Sequence, residues 1–119
     1  MKGILVNYEY CTVCHSCEVA CKKEKNLEEG QFGIKISDIG PYSYGKDHNR
    51  ENWEWVFYPV ITKVCDMCAE RTASGKMAAC IQTCQAWCMA MGEVEDLVKK
   101  IDGDGRYALL TQSSEWLNQ

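Results

Sequence analysis

The chain lacks most of what would point to catalysis, membrane residence or nucleic-acid binding. In 119 residues it has two prolines, two phenylalanines and two histidines. No run approaches the ~20 apolar residues of a membrane span, so direct membrane insertion is not expected. The N-terminal Met1 to Glu9 segment has too short an apolar run for a secretory signal and no small-residue cleavage site after it. A twin-arginine pair is absent too. There is no G-x-x-x-x-G-K-[ST] phosphate cradle, no G-x-G-x-x-G fingerprint and no Ser/His/Asp set, so no catalytic residue is assigned. Positive charge is in deficit, with 13 Lys and Arg against 17 Asp and Glu, a formal net charge of −4. Such a chain is expected to avoid nucleic acid and anionic membrane surfaces and to suit a basic face on a protein partner.

What the chain does have is cysteine, nine residues in two clusters. With no export signal the expected compartment is cytoplasmic, where disulfides are disfavoured and clustered thiols point to metal. The odd count also argues against a complete disulfide framework. The first cluster reads Cys11-Thr-Val-Cys14-His-Ser-Cys17-Glu-Val-Ala-Cys21. Gaps of two, two and three residues match the ligand run of bacterial [4Fe–4S] ferredoxins. In that run three close thiolates hold one cluster, and the fourth serves a second cluster. The second group, Cys65-Asp-Met-Cys68 and, after eleven intervening residues, Cys80-Ile-Gln-Thr-Cys84, keeps the opening gap of two and the closing gap of three.

By the exchange rule of two-cluster ferredoxins, Cys11, Cys14 and Cys17 join Cys84 on cluster I, and Cys65, Cys68 and Cys80 join Cys21 on cluster II. The expected cofactors are two [4Fe–4S] clusters, which would take the holoprotein to a charge of about −8. The exchange ties the two halves of the chain together, so the apoprotein is expected to be largely unfolded. Structural zinc is the alternative for these thiols, but the compact Cys11–Cys21 run fits separated C-x-x-C pairs poorly. Cys11-Thr-Val-Cys14-His15 also spells the C-x-x-C-H haem string, a reading that leaves Cys17 and Cys21 idle. His15 is then either solvent-facing or a donor toward a cluster sulfide. Cys88 is either a small buried hydrophobe, a spare thiol beside cluster I, or a subunit contact.

Length predicts a single domain over 1–119, with cysteine motifs at 11–21 and 65–84 and an insertion at 22–64. Ile4-Leu5-Val6 predicts a first strand, and 15–25 a helix with Cys17 and Cys21 on one face. Residues 31–37 suggest a second strand, and 38–52 are turn-rich. Trp53 to Val64 reads as a strand that Pro59 places at an edge or bulge. Alternation puts Trp53, Trp55 and Phe57 on one face, a candidate subunit interface. Residues 66–73 suggest a short helix ended by Gly75, 77–90 a longer one, and Tyr107–Thr111 a last strand beside the first. Asp102-Gly-Asp104-Gly105 lacks EF-hand spacing and reads as a turn. The charge run over 22–29 reads as a solvated face. Arg71 reads as structural, or as a cation that raises the potential of cluster II.

One resemblance is more specific. Cys68-x-x-Arg71-x-x-x-Gly75-x-x-Ala78-x-Cys80-Ile81-x-x-Cys84, followed by Gly92-Glu-Val-Glu-Asp-Leu97, resembles the last cysteine motif of the iron–sulfur subunits of dimethyl-sulfoxide-reductase-type enzymes. Cys11 to Cys21, with Lys22 and Lys23, looks like their first motif. Those subunits usually hold four clusters in two ferredoxin domains, with the first and last motifs sharing one domain. This chain looks like the family with its second domain removed. The resemblance implies an α+β, ferredoxin-like dicluster fold with short antiparallel strands and two cluster-binding helical segments.

It also implies a non-catalytic electron-transfer subunit in a hetero-oligomer of anaerobic metabolism. The partner would be a large catalytic oxidoreductase subunit, tungsto- or molybdopterin-based or else flavin-based, with a soluble electron carrier as a further contact. A free, diffusible ferredoxin and a zinc or iron–sulfur structural module are the alternatives. The sequence departs from the family at Gln85 and Ala78, where prolines are usual. Both changes permit one continuous helix through Cys80, Cys84 and Cys88.

Overall fold

The computed structural model describes residues 2–45, 52–101, 103 and 105–112. These residues form an α+β domain of two antiparallel sheets and a few short helices. Its order is β1 (Lys2–Asn7), a 3-10 turn (Tyr8–Tyr10), α1 (Ser16–Lys25), β2 (Ile34–Ser43), β3 (Trp53–Ile61), α2 (Ala69–Ala73), α3 (Ala79–Gln82), β4 (Met89–Glu93), α4 (Val94–Val98) and β5 (Tyr107–Thr111).

β1 is the central strand of the first sheet, in the order β4-β1-β5. That position explains its unbroken Ile4-Leu5-Val6 run, because a central strand covered on both faces has no solvated side to alternate toward. Ile4 and Val6 face the thiol-rich core. Gly3, on the opposite face, lies against α4: a Cβ there would meet Val94 Cγ2 at 3.2 Å. The expected pairing of the last strand with the first is present, running from Gly3↔Thr111 to Asn7↔Tyr107.

β2 and β3 form a separate hairpin. Its root carries Ile34 paired with Ile61 and Ile36 paired with Pro59. Both strands of a two-stranded sheet are edges, which is why the ladder tolerates Pro59. The turn-rich reading of 38–52 gives way here, because β2 continues to Ser43 through Gly40-Pro41 with a register irregularity between Ile39 and Tyr42. Gly40 is needed there: its φ is +118°, and a Cβ would meet the Glu54 carbonyl at 2.7 Å. Residues 46–51 of that segment lie outside the described residues, as do Asp102 and Asp104 of the expected 102–105 turn.

The helix expected over 77–90 is corrected. α3 stops at Gln82, and Met89 already belongs to β4. Losing the two prolines permits a helix but does not require one. Pairing of Met89, Ala90 and Met91 with Val6, Leu5 and Ile4 completes the sheet and buries Met89. Trp87, with φ +53°, reverses the chain between α3 and that strand.

Candidate metal centres

α1 begins after His15 and delivers Cys17 and Cys21 to its buried face, one turn apart. Glu18 is buried beside them. Its Oε1 accepts the Ile36 backbone N–H at 2.7 Å and pairs with His15 Nδ1 at 2.9 Å. Burial pushes its carboxyl up, but the hydrogen bonds from Ile36 and His15 outweigh that and hold it below the usual range. These contacts fix the helix against β2.

The two C-x-x-C loops repeat one another. Val13, before Cys14, has φ +59°, and Met67, before Cys68, has φ +60°. His15 and Cys68 are also left-handed, at +61° and +50°. For non-glycine residues this conformation costs about 1–2 kcal/mol each, and such strain concentrates at functional sites. It turns the loop inward. The Met67 N–H approaches Cys65 Sγ at 3.5 Å, and the Cys68 N–H donates to Asp66 Oδ1 at 3.0 Å. β-branched Val13 sits in the conformation least suited to it, and only the repeat of the motif offered a signal for that.

The thiols gather round two separate hollows. Cys11, Cys14, Cys17 and Cys84 line the first, together with Cys88, His15 and Thr12. Cys21, Cys65, Cys68 and Cys80 line the second, together with Lys25 and Asp66. These are the two quartets expected from the exchange rule. Each hollow is closed by one rung of each sheet. Ile36, Pro59 and Met89 close the first, and Ile34, Ile61 and Met91 the second. Within each sheet these rungs are two residues apart, a step of about 7 Å along a strand. The hollows are tight, about 20 Å³ and 10 Å³. Among the described residues no three His, Cys, Asp or Glu side chains converge on one point as a single metal ion requires. The thiols are spread over the walls instead, four to a hollow with Cys88 in addition.

The thiols differ in electrostatic setting. Burial pushes Cys17 and Cys80 up to about 12 and also raises Cys21 and Cys65. Cys14 is exposed, and hydrogen bonds from the Ser16 side chain and backbone lower it to about 7. A metal would therefore displace protons from the buried thiols, while Cys14 marks the solvent edge of the first hollow.

Around the site, some of the 22–29 charge run is engaged rather than merely solvated. Lys25 pairs with Asp66 at 2.6 Å, and Glu24 with Arg71 at 3.4 Å. Arg71 also donates to the Met77 carbonyl at 2.9 Å and to Gln82, bracing α2 against the segment before α3 and against its last residue. Arg71 lines neither hollow and acts as this brace. His15 is half-exposed at the rim of the first hollow, paired with Glu18. Cys88 is buried, with its sulfur 3.7 Å from that of Cys84.

Comparison with protein-family models and with curated proteins yields no match. Among the described residues no helix is long and apolar enough to cross a membrane.

Proposed function

We propose that this chain is the electron-transfer subunit of an oxidoreductase complex, holding two [4Fe–4S] clusters in a ferredoxin-like dicluster fold. The observation that carries the reading is the segregation of eight motif thiols into two quartets, Cys11/Cys14/Cys17/Cys84 and Cys21/Cys65/Cys68/Cys80, each walling its own hollow. The donor set suits the group: all-thiol, four to a site, with the fourth member of each quartet drawn from the other motif. When bound, the clusters supply one-electron redox chemistry at potentials the protein sets.

The rest is the work of this chain. The left-handed residues Val13, His15, Met67 and Cys68 shape the two C-x-x-C loops that carry the thiols. Ile34, Ile36, Ile61, Pro59, Met89 and Met91 wall the two sites and keep water away. Cys14, at the solvent edge, makes the first site the side that faces a partner.

The partner fits the aromatic face of the hairpin. Trp53 and Trp55 are 54% and 55% exposed, and Trp55 stacks on Phe57 with ring centroids 5.2 Å apart. Large aromatics left open on a small acidic chain favour a subunit contact over a freely diffusing carrier. By the motif resemblance, the partner is a large tungsto- or molybdopterin oxidoreductase subunit, with a flavin enzyme as the alternative.

The test is anaerobic affinity purification from the native host, with Fe, Mo, W and Zn quantified in all co-eluting chains. Iron on this chain together with molybdenum or tungsten on a large second polypeptide supports the proposal. Iron on a lone small chain favours a free ferredoxin.

A further inference from the structure

The first hollow has five thiols where a cluster needs four. Cys88 shares it with Cys84, and the two sulfurs lie 3.7 Å apart, within hydrogen-bond range for sulfur. Both residues are buried, 9% and 8% exposed. Cys88 is held by the sheet. Its carbonyl accepts the Asn7 N–H at 2.8 Å, and the next residue, Met89, enters β4 opposite Val6. Its position therefore does not depend on the short turn before it.

Between two free thiols either sulfur can donate. Ligation removes that ambiguity, because a thiolate that holds metal has given up its proton and only accepts. We propose that Cys88 is the S–H donor to the Cys84 thiolate and that this bond raises the reduction potential of the cluster in the first hollow. The inference rests on the proposed role of Cys84 as a ligand. Reduction adds negative charge to the cluster and its sulfurs, and a donor aimed at a ligating sulfur stabilises that more negative state. Hydrogen bonds to the sulfurs are among the determinants of such potentials, and burial strengthens each one. Cys88 is on this account a positioning residue: it touches the ligand, and no bond is formed or broken at its sulfur.

The experiment is an EPR-monitored redox titration of the anaerobically purified holoprotein, comparing wild type with Cys88→Ala and Cys88→Ser. Iron is quantified in each, and the first-site signal is assigned by its loss in Cys84→Ser. The expected result is full iron in both Cys88 variants. In Cys88→Ala the midpoint of the first site alone moves to more negative potential. In Cys88→Ser, whose hydroxyl still donates, it returns toward the wild-type value. An unchanged or more positive midpoint in Cys88→Ala overturns the proposal. Loss of iron from the first site in Cys88→Ala also overturns it, since Cys88 would then be a ligand. An iron-free wild-type protein would remove the cluster reading itself, which is a distinct failure.

Discussion

Gly33 backs directly onto Cys21: a Cβ built on Gly33 would lie 2.4 Å from the Cys21 sulfur. A free thiol could rotate away from such a contact, whereas a ligating thiolate is fixed by its metal and has nowhere to go. Gly33→Ala is therefore expected to cost the second site its iron, taking the protein from about eight irons to about four. Iron analysis of the purified variant checks this. Full iron content would mean that Cys21 is free to move.

The exchange between motifs is testable one thiol at a time. Cys84→Ser should impair the site walled by Cys11, Cys14 and Cys17, and Cys21→Ser the site walled by Cys65, Cys68 and Cys80. EPR of the reduced variants distinguishes the two signals. If Cys84→Ser disturbs the second signal and spares the first, the crossed assignment is wrong.

Glu18 links α1 to the hairpin through the Ile36 N–H. Glu18→Ala leaves that donor without its partner and should cost about 1–3 kcal/mol, while Glu18→Gln, which keeps an acceptor, should cost less. The carboxyl is held below its ordinary value of 4.5. A depressed value means that its charge stabilises the fold fully above 4.5 and ceases to do so as pH falls through the lowered value. Urea midpoints should thus show a constant wild-type advantage over Glu18→Gln at neutral pH that closes in acid. An advantage that grows in acid would contradict this sign.

Half-exposed Trp53 and Trp55 predict a partner-facing surface. Replacing both with Ser should weaken the complex at least about tenfold, ~1.4 kcal/mol, with iron content unchanged. Binding measurements alongside iron analysis separate the outcomes: loss of iron would make the segment core.

Much of the site was legible because ligand spacing is a local property. Cys11 to Cys21 prescribes a loop and one helical turn, and the structure places a loop and α1 there. The path between Cys80 and Met89 was not legible. Four-residue spacing of Cys80, Cys84 and Cys88 suits a helix, but the outcome is decided by Met89 and Met91 pairing with a distant β1, a contact that no local pattern encodes. The same holds for β2 beyond Ser37, where Gly40-Pro41 reads as a turn and is carried within a strand by its ladder to β3. Gly33 carried no motif signal, since its importance lies in a sulfur twelve residues away in sequence.

The central claim is that the two thiol quartets hold iron–sulfur clusters. Iron and acid-labile sulfide, measured per chain on anaerobically purified protein alongside its visible spectrum, test it most directly. The account predicts about eight of each and a brown colour that bleaches on reduction. A colourless protein with zinc in place of iron, and no sulfide, would contradict it.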